Sequence, residues 1–155
     1  MQICQADVKD ILEISMCGQR CLPIYYHPHQ ILGMIVDDDH VVLKVVIDNK
    51  IIGYFLGEYQ KKRNFHILSF GIDVKHRKKG IGRDLIEFTR KKVKKNNNKT
   101  MSLNVHIENE GAISFYKKCG FNVVKVRKNY YNGGLKNVNN QDAYFMQRKC
   151  SQNPR

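Results

Sequence analysis

The sequence predicts an α/β fold with a mixed sheet, on three observations. Three β-rich runs follow one another between Val41 and Val74. Two segments with helical spacing of apolar residues, one after Gly82 and one after Asn109, then alternate with further strand-like segments. Finally, 155 residues with 42% apolar and 26% charged side chains fit one ordinary core, so all of these elements must share it and wholesale disorder is excluded. Residues 1–150 are therefore expected to form a single domain, with 151–155 a frayed tail.

Taken in order, Ile3 sits in a short extended opening and Asp7 reads as a helix N-cap, with Asp10 in the first turn favourable to the helix dipole. Val8, Ile11, Leu12 and Ser15/Met16 recur at helical spacing and predict a helix from about 8 to 17. Two of the three prolines, Pro23 and Pro28, make 21–29 a loop, although an apolar and aromatic one. Residues 41–47 and 51–59 are strands joined by Asp48-Asn49-Lys50, a hairpin signal. Gln60 to Asn64 is a basic turn, and 65–74 is the next strand, with Gly71 the expected bulge. Ile81, Leu85, Ile86, Phe88 and Val93 outline an amphipathic helix that ends in the lysine-rich 91–95 and is stopped by Asn96-Asn97-Asn98. Met101, Leu103, Val105 and Ile107 alternate with polar residues and predict a strand with one apolar face. A short helix over 109–118 ends at Gly120, 121–127 and 142–148 are strands, and 131–140 is a polar loop.

The net charge of +13 and pI near 9.6 imply a positive field that attracts anions without naming one: nucleic acid, an acidic surface and a phosphate-rich small molecule all qualify, as does a merely solvated basic surface. The apolar runs are too short to cross a bilayer, and the first residues lack the basic flank and apolar core of a signal peptide, so a cytoplasmic protein without membrane attachment is expected. Five cysteines at 4, 17, 21, 119 and 150 form no C-x-x-C pair and no zinc spacing, so buried free thiols and no metal are expected.

The segment carrying chemistry is Arg77-Lys78-Lys79-Gly80-Ile81-Gly82-Arg83, which joins a strand to a helix. Glycines at 80 and 82 remove side chains where a helix begins, so backbone N–H groups and about half a positive charge from the helix dipole can meet an anion there. Arg77, Lys78, Lys79 and Arg83 surround that point, as in a pyrophosphate cradle. A third glycine at the dinucleotide-fold position and a Gly-Lys-Ser/Thr ending are both missing, so neither nucleotide motif fits.

Arg77-x-x-Gly80-x-Gly82 resembles the acetyl-CoA signature of the GNAT acetyltransferases, and 109–121, Asn-x-x-Ala-x-x-Phe-Tyr-x-x-x-Gly-Phe, is similar to the second half of that family's pattern. The resemblance implies the GNAT fold: a mostly antiparallel sheet, splayed at the acetyl-CoA site and flanked by helices. Leu22-Pro23-Ile24-x-Tyr26, 66–70, Ser102-Leu103-x-Val105, Asn129-Tyr130-Tyr131 and Asp142-Ala143-Tyr144-x-Met146 look like the catalytic subunits of protein N-terminal acetyltransferases and their bacterial ribosomal-protein relatives. The Leu-Pro-Ile loop and Val105-x-Ile107-x-Asn109 are most similar to members acting on hydrophobic, Met-starting N-termini. The 142–146 ending resembles the subunit for small or acidic ones.

That resemblance implies roles. Backbone groups of the Phe70, Ile72 and Val74 stretch would bind the pantetheine arm and polarise the thioester, with Ile81 and the neighbouring glycines and cations on the pyrophosphate. Asn109 would cap its helix and touch the CoA arm, and Tyr116 would be the general acid toward the sulfur. Where relatives carry a His or Glu, this chain has Asn104, a neutral amide that cannot act as a base. His66, on the neighbouring strand, is expected to take the amine proton, its pKa of about 6.5 suiting that task; His106 and then Glu58 stand behind it. Since an α-amine has a pKa of only about 7.7–8.0, a strong base is not essential. Leu22, Pro23, Ile24, Tyr26, Tyr130 and Tyr131 would clamp the peptide.

The expected activity is direct transfer from acetyl-CoA to protein N-termini, with docking on a ribosome or an auxiliary subunit left open and no specific DNA binding. Cys119 falls at an unspecified motif position, which speaks against an acetyl-cysteine intermediate. The alternatives are acetylation of lysine ε-amines or small polyamines, to which a +13 protein is a poor host, and a basic RNA-docking module with catalysis weakened at Asn104.

Overall fold

Two adjacent residues with positive φ, Asp48 (48°) and Asn49 (60°), turn strand β2 (His40–Ile47) back onto β3 (Lys50–Gln60). Both φ values are those of the tight hairpin turn, which short side chains that bond locally tolerate best. A computed structural model describes residues 1–153 of the chain, and 154 and 155 lie outside the described residues. Around this hairpin the order along the chain is β1 (Gln2–Gln5), a single 3-10 turn (Val8–Asp10), α1 (Ile11–Cys21), α2 (Pro28–Ile35), β2, β3, β4 (Asn64–Ile72), α3 (Ile81–Lys95), β5 (Thr100–His106), α4 (Glu110–Lys118), β6 (Asn122–Arg127) and β7 (Ala143–Lys149).

The seven strands form one sheet in the order β1-β2-β3-β4-β5-β7-β6, antiparallel except for β4 and β5. That parallel pairing runs only from Asn64/Thr100 to Ile67/Leu103; β4 then continues to Ile72 against β3 alone, while β5 continues against β7. The sheet therefore opens between β4 and β5. Period-two alternation, shifted once by a bulge at Ile52, sends Val41, Leu43, Val45, Ile52 and Phe55 to the face covered by α3, and Val42, Ile51, Tyr54 and Leu56 to the face covered by α1 and α2.

The structure departs from the sequence-based expectations in several places. The loop expected over 21–29 ends at Pro28, which is the first residue of α2: its missing N–H costs nothing at that position, and His27 and Gln30 close a reciprocal cap in front of it. The first helix is a capped 3-10 turn followed by α1 reaching Cys21, with Asp7 and Asp10 forming the capping box. Its buried face is Ile11, Ile14, Ser15, Cys17 and Gly18, whereas Val8, Leu12 and Met16 are exposed. Small residues win the inner face because α1 lies tight on the sheet: a Cβ on Gly18 would stand 3.3 Å from the Tyr54 hydroxyl.

The bulge expected at Gly71 lies three residues earlier. Leu56 pairs with Ser69 and Gly57 with Ile67, so Leu68 is the extra residue, and Gly71 keeps its register with Tyr54. Gly71 instead makes room for Cys21, whose Cβ would be 2.9 Å from an added Cβ. Val74 lies past β4 in an exposed 3-10 turn. The polar side of β5 is covered as well, with Ser102 and His106 buried. Cys17, Cys119 and Cys150 are buried thiols, while Cys4 and Cys21 are half-buried. In the tail, Gln152 accepts a hydrogen bond from Arg148 (3.0 Å), which ties it to the body as far as that residue.

Candidate active site

Between β4 and α3 the chain makes a 3-10 turn over Val74–His76, passes through Lys78 (φ 60°) and Gly80 (φ 83°), and enters α3 at Ile81. The first N–H groups of α3 have no acceptor within the helix, so they face outward beside the exposed Lys78 and Lys79. The two glycines do different things. Gly80 supplies the left-handed φ in front of open space, since an added Cβ there would meet nothing within 4 Å. Gly82 allows close packing, since its Cβ would stand 3.2 Å from the Phe115 ring and 3.5 Å from Phe70. Arg77 folds back, its Nε donating to the Ile72 carbonyl (2.8 Å), and so ties the turn to the end of β4.

A cleft of about 890 Å³ runs beside this helix start, lined by Arg83 from α3, Ser114, Lys117 and Lys118 from α4, and Tyr144 from β7. The α4 lysines were missed from sequence; their signal was a cation pair in the last turn of the motif helix. Asn109 caps α4 by accepting from the Ala112 N–H (3.1 Å). Tyr116 lies among the rings of Phe70, Phe115 and Phe121 at 5.3–6.0 Å. Burial pushes its phenol well above the ordinary tyrosine value, with Cys119, Tyr131 and Tyr54 adding to the effect. Tyr54, also absent from the sequence-based set, is held by a hydrogen bond to Ser69 (2.9 Å).

Where β4 and β5 are still paired, a polar chain crosses the sheet. Thr100 donates to Asn64 Oδ1 (2.8 Å), and Asn64 Nδ2 donates to Ser102 Oγ (2.8 Å). Ser102 Oγ lies 2.8 Å from His66 Nδ1, His66 Nε2 lies 3.3 Å from Asn104 Nδ2, and that amide also reaches the Tyr130 hydroxyl (3.3 Å). Burial lowers the His66 pKa; Arg127 lowers it too, while Glu58 pulls the other way. Asn104 Oδ1 is buried without a partner. The two orientations of this amide match two states of the ring: Nδ2 donates to a bare Nε2, and Oδ1 accepts from Nε2–H.

His106 is placed differently. Its Nε2 donates to the Asn140 carbonyl (2.6 Å) and its ring meets Tyr131 edge-on, so it anchors the 128–142 loop. Glu58 is cross-strand from His66, with its oxygens engaged by Gln60 (2.8 Å) and His40 (3.6 Å).

Two loops meet above the network. A Cβ on Gly134 would lie 3.5 Å from Ile24 Cδ1, which places the α1–α2 loop against the β6–β7 loop. Pro23, Ile24 and Tyr130 are exposed there, Tyr26 is half-buried, and Leu22 packs down into the core. Burial raises the phenols of Tyr26 and Tyr131, the latter to about 12, and the Tyr130 charge bears on both. Among the described residues no group of three or more His, Cys, Asp or Glu side chains is placed to hold a metal ion, and no helix is long and apolar enough to cross a membrane.

Comparison with known proteins meets this geometry from outside. The acetyltransferase (GNAT) family pattern matches residues 8–121. The chain is 28% identical to an N-alpha-acetyltransferase of Saccharolobus solfataricus over 155 residues, 92% of this chain and 89% of that one. Ard1 of Thermoplasma volcanium shares the fold with a TM-score of 0.80 at 28% identity over 96% of both chains. The ribosomal-protein-S18-alanine N-acetyltransferase of Escherichia coli shares it with a TM-score of 0.86 at 20% identity, covering 98% of this chain and 95% of that one. A helix start opened by glycine, beside a sheet that parts between its two parallel strands, is thus matched by family membership: the chain belongs to the GNAT family and is an acetyl-CoA-dependent acetyltransferase.

Proposed function

We propose that this acetyltransferase acts on the N-terminal α-amine of proteins, with hydrophobic or Met-starting N-termini preferred, by direct transfer within a ternary complex. The observation that carries this is the meeting of two aromatic loops over the His66–Asn104 pair. Ile24 and Tyr26 come from one side and Tyr130 and Tyr131 from the other, the latter loop held by His106. An apolar wall with phenols beside it suits an uncharged first side chain and a peptide backbone better than it suits a polyamine. The naming of the archaeal relative as an N-alpha-acetyltransferase supports the same substrate class.

Acetyl-CoA supplies the activated acyl group as a thioester. The N–H groups at the start of α3, with Lys78, Lys79 and Arg83, would hold the pyrophosphate, and the part of β4 beyond Ile67 has an edge without a strand partner for the pantetheine amides. Tyr116, its phenol held protonated by burial, would donate toward the departing sulfur. His66 would take the amine proton on Nε2, with Asn104 turning Oδ1 forward to accept from the new N–H, while Ser102 fixes the ring. Burial raises the Cys119 thiol, which leaves it a poor nucleophile and favours direct transfer. The setting would be the cytoplasm, where new N-termini arise, and residues 1–150 would act as one domain.

Purified enzyme with labelled acetyl-CoA and peptides beginning Met-Leu, Ser-Glu or Met-Glu, an internal-lysine peptide with a blocked N-terminus, and spermidine tests this. Acetylation of the Met-Leu peptide at its α-amine, at least ten-fold above the Ser-Glu peptide, the internal-lysine peptide and spermidine, is expected. Acetylation confined to spermidine or the lysine side chain would overturn it.

A further inference from the structure

The end of the molecule away from the acetyl-CoA site gathers cations from three separate segments. The turn at Lys61–Arg63 contributes three, the last turns of α3 contribute Lys91, Lys92, Lys94 and Lys95, and Lys99 and Lys149 complete the set. Backbone and side-chain bonds join the segments: Arg63 Nε donates to the Asn97 carbonyl (2.7 Å), the Lys99 N–H to the Arg63 carbonyl (2.7 Å), and the Cys150 N–H to the Lys99 carbonyl (2.8 Å). The last two segments edge a cleft of about 490 Å³, in which Asn97, Asn98 and Thr100 stand with Lys94, Lys99 and Lys149, and Arg63 adjoins it through Asn97. No Asp or Glu occurs in 61–63, 91–99 or 149–151.

Several basic side chains elsewhere pair with carboxylates, as Lys44 does with Asp10 (2.7 Å) and Lys128 with Asp142 (3.1 Å). Among the described residues, none of the nine cations at this end is in an ion pair. Lysines in the last turn of α3 offset the negative end of the helix dipole, which accounts for one or two of them. It does not account for the cations that the β3–β4 turn, Lys99 ahead of β5 and the end of β7 bring to the same place. Since α3 has 15 residues, this cluster stands about 20 Å from the helix start assigned to the pyrophosphate, so the cofactor does not use it.

We propose that this surface docks the phosphate backbone of double-stranded RNA and holds the enzyme beside a structured RNA while the cleft at the other end of α3 carries out acetyl transfer. Repeated cations without carboxylates supply phosphate affinity, and the interleaved amides and hydroxyls match the 2′-hydroxyls that line an A-form minor groove. A membrane fits less well, because the cleft that Lys94, Lys99 and Lys149 line is concave and none of its lining residues is a large apolar side chain to insert. Single strands fit less well too, since no aromatic ring lines that cleft as a stacking platform. The inference does not rest on the preferred N-terminus.

The test measures binding of a fluorescent 20-base-pair RNA duplex of arbitrary sequence, a single strand of equal length and phosphatidylserine vesicles, each between 50 and 200 mM salt. It compares the parent, Lys61→Glu/Lys95→Glu/Lys99→Glu, and a control of equal charge change, Lys9→Glu/Lys50→Glu/Lys125→Glu. Thermal melts and peptide acetylation report that each variant folds. The patch variant should lose at least 100-fold in duplex affinity at 50 mM salt, and its slope of log affinity on log salt should flatten by about two to three, roughly one unit for each phosphate-bound lysine. The control should lose less than five-fold. Equal losses in both variants would show an undirected field and overturn the proposal, as would vesicles or single strands binding better than duplex at equal phosphate.

Discussion

The side-chain amide of Asn104 stands 3.3 Å from His66 Nε2 and, by the same nitrogen, 3.3 Å from the Tyr130 hydroxyl. A neutral group thereby links the imidazole on β4 to the loop proposed to hold the peptide, at a position where a carboxylate would have changed the charge of the ring.

Asn104→Asp tests that neutrality. A carboxylate at this distance favours the imidazolium, so the His66 pKa should rise. The acid limb of kcat/KM against pH should move up by about one unit, with the rate at pH 8 within about five-fold of the parent. A limb that does not move would show that His66 does not carry the proton.

The lowered pKa of His66 also makes a stability prediction. The unfolded chain binds a proton on this ring near pH 6.5 and the folded chain only at lower pH, so the unfolded state holds more protons between those values. Stability should be undiminished above about pH 6.5, fall as the pH drops below it, and level off below the folded value. In melts from pH 5 to 7.5, His66→Gln should show less of this fall than the parent.

Tyr116→Phe removes the phenol and keeps the ring that packs on Phe70 and Phe121. Turnover should fall by about 100-fold, the lower range for a lost general acid, with KM for acetyl-CoA within about three-fold and the melting temperature nearly unchanged. Unchanged turnover would remove the assignment.

Glu87 accepts from both Arg90 Nε and Arg148 Nη1 at 2.7 Å, and Arg148 is 2% exposed. Burial alone would raise the Glu87 pKa, but the two guanidinium hydrogen bonds outweigh it and the net shift is downward. Glu87→Ala strands a buried charge and should cost about 3 kcal/mol in urea denaturation, while Glu87→Gln should cost less. In the parent, this contribution is present above about pH 4.3 and lost as the pH falls through the folded value.

Local chemistry made much of this legible in advance. Asp48-Asn49 announces a two-residue hairpin because both need positive φ, and Gly80-x-Gly82 announces a helix start because only glycine leaves that backbone bare. Asn109 announces its cap in the same way. The strands of the sheet were readable wherever apolar residues alternate. The second helix was not, because Pro28 signals a break and a first helical position equally well, and what decides is the His27–Gln30 cap. The inner face of α1 was misread because close approach to the sheet rewards Ser15 and Gly18 over Leu12 and Met16.

By itself, then, the sequence determined the order of most elements, the glycine-opened helix start and the family pattern, all set by residues within a few positions of one another. Only the tertiary structure decided what surrounds the candidate base. Ser102 and Asn104 lie 36 and 38 positions from His66 and reach it because β4 and β5 pair in parallel over four residues and then part. The same pairing brings Arg63 beside Lys99 at the far end of the sheet. Strand register is a cooperative choice among distant segments, made by burying both faces of the sheet at once, and no local spacing records it.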